Sequence, residues 1–146
     1  MEIGMTRKSK LRNWIARLLI FLVVADNFQA AILFLFHPES VAPSFELAGV
    51  IGDSIIQGIG LLFLMWCVPY VVALINPARH RLSLLEATIM QAMAFAGETM
   101  LMVLLPVKLP DLECAVLKFM IFDLAGLVLL LLASWLTRKE ADVPQP

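Results

Sequence analysis

Four long apolar stretches, roughly residues 14–36, 50–75, 84–105 and 114–136, constrain this chain more than any motif within it. Each is close to the ~20 residues that a helix needs to cross the hydrocarbon core of a bilayer. In lipid an unpaired backbone amide has no water to turn to, so runs of this length predict transmembrane helices. With 61% hydrophobic residues, 16% charged residues and a mean hydropathy of +0.89, the chain is more apolar than ordinary soluble domains. The stretches between the runs are short and hold helix breakers: His37-Pro38 through Ala48, Asn76-Pro77 through Ser83, and Pro106 through Glu113. Short connections force neighbouring spans to run in opposite directions. The expected fold is therefore an all-α integral membrane protein, an antiparallel four-helix transmembrane bundle. A single four-span unit is expected over residues 14–136, between a basic N-terminal segment (residues 1–13) and a short tail (residues 137–146).

Orientation is read from the cations, because Lys and Arg are retained in cytoplasmic loops during insertion. Arg7, Lys8, Lys10, Arg12 and Arg17 precede or open the first run, Arg79 and Arg81 lie in the second connection, and Arg138 and Lys139 follow the last run. With four spans these nine share one side, leaving Lys108 among the acids Glu39, Glu46, Asp111 and Glu113 on the other. Both termini are expected in the cytoplasm, with Trp14 and Trp135 at the same interface. The basic start followed by apolar residues has the outline of a signal peptide with Phe28-Gln29-Ala30-Ala31 as its cleavage site. The apolar run resumes at once with Ile32 through Phe36, so an uncleaved first span is expected. The membrane is expected to be a bacterial inner membrane or a eukaryotic endomembrane. A net charge of −1 points away from nucleic acid. Cys67 and Cys114 stand in separate runs without CxxC spacing, and no histidine cluster accompanies them, so no disulfide, metal or other cofactor is expected.

Several polar residues have local explanations. Ser83 and Glu86 have the spacing of a capping box for the third helix. Asp111 is placed to cap the fourth, with Glu113 complementing the dipole of its first turn. Pro69 removes a backbone hydrogen bond within the second span, and Lys118 lies near enough to the end of the fourth to snorkel or to form an ion pair.

Four acids resist such explanations: Asp26, Asp53, Glu98 and Asp123, one on each span. At ~1.5 Å of rise per residue they fall about 15, 5, 10 and 14 Å below the outer ends of their spans, in the same half of the bilayer. The amides Asn27, Gln29, Gln57 and Gln91 accompany them. Asp53, Gln57 and Gly60 share one helical side, Gln91, Ala94 and Glu98 follow another stripe, and Gly126 is three residues beyond Asp123. A lipid-facing carboxylate is costly, so all four acids are expected to turn inward. Asp26, Gln29, Asp53, Gln57, Gln91, Glu98 and Asp123 are the candidate ligand-binding residues. Close carboxyls without cations of their own invite a proton, a cation or a protonatable amphiphile.

Asp26 with Gln29-Ala30, then Asp53-Ser-Ile-Ile-Gln57, then Pro69-Tyr70 resemble, over these fragments alone, the emopamil-binding and sigma-2-receptor (EXPERA) family. The resemblance implies four spans, cytosolic ends and a buried acidic pair that takes amphiphilic amines or sterols. Three functions follow, in order. The first is a membrane protein that binds or transports a cationic or amphiphilic ligand in an acidic pocket. The second is an accessory or scaffold subunit that meets a membrane-protein partner, or its own copies, through small-residue faces. The third is a lipid or sterol isomerase by analogy with that family. Membrane lipid surrounds the chain in all three, and binding is favoured over catalysis because no nucleophile, metal set or phosphate cradle is evident.

Overall fold

The computed structural model describes residues 7–105 and 109–138. Lys108, residues 1–6 and the tail from Lys139 onward lie outside the described residues. The described residues form five α-helices: α1 (Arg7–Phe36), α2 (Pro38–Val41), α3 (Gly49–Ile75), α4 (Arg81–Leu104) and α5 (Pro110–Arg138), with a 3-10 turn at Ala42–Phe45. The described residues contain no strand. Four of the helices, α1, α3, α4 and α5, are long and apolar enough to cross a membrane. Each begins before the apolar stretch that announces it, since a helix satisfies its own backbone and can extend past the apolar residues.

The hydroxyls obey the same requirement. Ser54, Thr88, Thr99 and Thr137 each donate to the carbonyl four residues earlier, at 2.7, 2.7, 2.7 and 3.0 Å.

The long helices form a four-cornered bundle. α1 packs on α3 and α5, α4 packs on the same two, and the diagonal backbones stay out of contact. The contact of α3 with α4 is the least extensive of the four. Near the two ends of the chain each corner contributes a fully buried alanine, Ala16, Ala73, Ala87 and Ala133, around Ile20, Tyr70 and Leu130. Small side chains let backbones approach where lipid supplies no hydrophobic drive between helices.

Arginines close the same end. Arg12 donates to the Leu136 carbonyl, Arg17 to the Leu74 carbonyl at 3.1 Å, and Arg81 to the Thr137 carbonyl at 2.9 Å. Each satisfies a carbonyl that its own helix leaves unpaired in its last turn. The Arg17 guanidinium also lies 4.9 Å from the centre of the Trp14 ring.

At the other end an aromatic cluster takes over. Phe34 meets Phe45, Phe63 and Phe119 edge-on, at centroid distances of 6.1, 5.6 and 6.1 Å, and Phe63 stacks on Phe119. α2 and the 3-10 turn fold over this cluster and bury Val41 and Ala42. Gly60 lets α1 lie against α3 there: a Cβ at that position would come within 2.9 Å of Phe34 and 3.0 Å of the Leu35 backbone nitrogen.

Two expected helix caps are replaced. α4 starts at Arg81 after His80, which makes no side-chain cap, so Ser83 and Glu86 are both inside the helix. α5 starts at Pro110, whose missing N–H costs nothing in a first turn, and Asp111 falls within that turn beside Glu113. Pro69 is inside α3 as expected.

Candidate functional site

Between the alanine layer and the aromatic cluster lies a chain of buried polar contacts. The Trp66 indole N–H donates to the Tyr70 hydroxyl at 2.8 Å, and that hydroxyl donates to Oε1 of Gln91 at 2.6 Å. Nε2 of Gln91 donates in turn to Oδ1 of Asp123 at 2.6 Å. Gln91 is only 1% exposed, so its amide is fully committed between hydroxyl and carboxyl. Gly126 makes this possible, because a Cβ there would stand 2.6 Å from Gln91 Nε2. Asp123 is itself buried, and its carboxyl and that of Glu98 border one cavity. The line Trp66–Tyr70–Gln91–Asp123 runs across three helices, α3, α4 and α5.

The two carboxyls meet a cavity. It has a volume of about 330 Å³ and is bounded by Ile59, Leu62, Phe63 and Trp66 of α3 and by Met93, Gly97, Glu98 and Leu101 of α4, with Asn27 and Asp123 also on its wall. Leu62, Met93 and Leu101 are more than half exposed, so the cavity opens sideways through the α3/α4 seam. Oε2 of Glu98 is buried with no hydrogen-bond partner. No basic side chain among the described residues pairs with Glu98 or Asp123, and the one ion pair among them, His37 with Glu39 at 3.6 Å, lies at the start of α2. A larger cavity of about 480 Å³ beside Trp14 and Arg17 is walled almost entirely by apolar side chains and holds no acid.

Of the candidate residues, the structure gathers Gln91, Glu98 and Asp123 in one place. Asp53, half-buried, and Gln57 lie one helix away, where Gln57 Nε2 donates to the Leu35 carbonyl at 3.2 Å and ties α3 to α1. Asp26 and Gln29 are exposed on the outer side of α1. The expectation that all four acids turn inward is thus corrected for Asp26. α1 is apolar on nearly every side, so its sequence has no periodic contrast from which a facing can be read. The residue that does turn inward is its neighbour Asn27, 2% exposed, whose Nδ2 donates to the Val23 carbonyl at 2.9 Å.

Trp66 and Tyr70 were outside the candidate set. A tyrosine and a tryptophan near the end of a span ordinarily mark the membrane interface, which hides a buried role. The available signal was the stripe Ile56, Gly60, Phe63, Cys67, Tyr70, whose spacing of four and three residues places the hydroxyl on the side of the close-packing glycine.

The described residues form an all-helical protein in which four helices are long and apolar enough to span a membrane, the outline of a multi-pass helix bundle. No family model, curated protein or solved structure matches the chain.

Proposed function

We propose that this is an integral membrane protein whose four spans alternate in direction, with both termini in the cytoplasm. In this reading it binds a protonated amphiphile, an amine with an apolar body, that arrives through the membrane between α3 and α4. The alternating directions are supported by the meeting of Arg12 with the end of α5 and of Gly60 with the end of α1. The cytoplasmic termini rest on the nine basic residues expected on one side.

The observation that carries the ligand reading is the unpartnered Oε2 of Glu98 at a cavity that it shares with Asp123. Two carboxyls on the wall of one cavity favour a shared proton or a cation, since both cannot ionise cheaply. An ammonium N–H satisfies the open oxygen, while Ile59, Leu62, Met93 and Leu101 take the apolar body and Trp66 offers an aromatic face to the charge. A bare metal ion fits less well. Calcium wants six to eight oxygens, and no group of three or more His, Cys, Asp or Glu side chains forms among the described residues.

The test is equilibrium binding, in lipid nanodiscs, of a lipophilic tertiary amine and of its uncharged carbon isostere. The amine binds more tightly to the wild type, and Glu98→Gln weakens it about tenfold or more, the worth of one hydrogen bond to a charged group. The isostere is unaffected by that change. Amine affinity falls as pH falls, because protons compete for the same oxygens. Equal affinities of amine and isostere for the wild type contradict the proposal.

A further inference from the structure

The outward side of α1 carries a second pattern that the cavity does not use. Ile15, Leu19, Leu22, Asp26, Gln29, Leu33 and Phe36 follow one another at alternating spacings of four and three residues. Other lines along α1 are as apolar as this one, which is set apart by the two exposed polar residues at its middle. Most of this seam is exposed: Ile15, Leu22, Leu33 and Phe36 are 40, 45, 42 and 68% exposed and Asp26 and Gln29 are exposed, while Leu19 packs against the core. The seam thus has apolar residues toward both ends and a carboxyl and an amide, one turn apart, at its middle. Asp26 lies ten residues, ~15 Å, from the end of α1 at Phe36, too deep for its short side chain to reach water.

We infer that this seam is the contact between two copies of the chain, with α1 packed along its counterpart and Gln29 of each copy donating to Asp26 of the other. The polar pair is what selects a second copy as the occupant. Asp26 supplies acceptors and Gln29 supplies donors, so a two-fold axis along the membrane normal satisfies both residues with the same two residues. Identical copies insert in the same orientation, which makes the two α1 helices parallel, the arrangement in which a 3.5-residue seam stays in register. A foreign helix would have to bring its own matching donor to the same depth. The inference is independent of the ligand reading, because no residue of the seam borders the carboxyl cavity.

Cysteine crosslinking in native membranes tests it, in full-length chain with Cys67 and Cys114 replaced by alanine. Single cysteines at Leu22 and Leu33 form crosslinked dimers, and those at Phe21 and Ile32, equally exposed but off the seam, do not. Subunit counting by single-molecule photobleaching in bilayers gives a second readout. Asp26→Leu with Gln29→Leu shifts the equilibrium toward monomer by about tenfold or more, the scale that polar contacts between membrane helices supply. Asp26→Asn, which keeps the hydrogen bond, stays dimeric. A wild-type chain that is monomeric at every lipid dilution, crosslinks of equal yield at all four positions, or crosslinks formed only to a different protein overturn the inference.

Discussion

Gln91 links three helices through one side chain. It accepts from Tyr70 and donates to Asp123, and it fits only because position 126 is glycine. Gln91→Leu removes both bonds at once and leaves the buried Tyr70 O–H without its acceptor and Oδ1 of Asp123 without its donor. Each such group costs about 1–3 kcal/mol, with membrane measurements toward the low end. Reversible unfolding in mixed micelles reads this loss directly. Unchanged stability of Gln91→Leu excludes the polar line as a structural element. At this scale the sequence was informative about Gln91, Glu98 and Asp123, because two of them share a stripe on α4 and the third sits one turn from a glycine. It was silent about Asp26, since a facing cannot be inferred for one acid on a helix that is apolar all round.

Among the helices, close approach is concentrated at a few small residues. Gly60 and Gly58 are neighbours on α3, yet a Cβ at position 60 collides with α1 and one at position 58 meets nothing within 4 Å. Gly60→Ala is therefore expected to destabilise the bundle by about 1–3 kcal/mol, the usual cost of overpacking. Gly58→Ala is expected to be neutral or to gain up to about 1 kcal/mol of helix propensity. Thermal unfolding of the two variants side by side decides it; equal shifts would show that α1 and α3 do not pack at Gly60. Helix existence was legible from hydropathy, because lipid leaves the backbone no alternative. Helix starts were less so. The Ser83–Glu86 spacing describes a cap that α4 does not use, since Arg81 already belongs to the helix and donates to the last turn of α5.

For the whole molecule the decisive feature is an asymmetry among the four corners. α1 and α3 are joined by Gly60 and the Gln57 bond, and α4 and α5 by Gln91 and Gly126, while α3 and α4 touch least. The cavity that Glu98 and Asp123 border lies behind that weakest seam, which in the proposed reading is the way in from the lipid. No hydropathy pattern announces such an opening, because the residues at its edges, Leu62, Met93 and Leu101, are those of any lipid-facing helix. Photolabelling with a lipophilic amine that carries a diazirine on its apolar body, followed by mapping of the modified residues, tests the central claim most directly. Labels are predicted on Leu62, Met93 and Leu101, and Glu98→Gln is predicted to abolish them. Labels confined to α1 and α5, or labels on α3 and α4 that persist in Glu98→Gln, would contradict it.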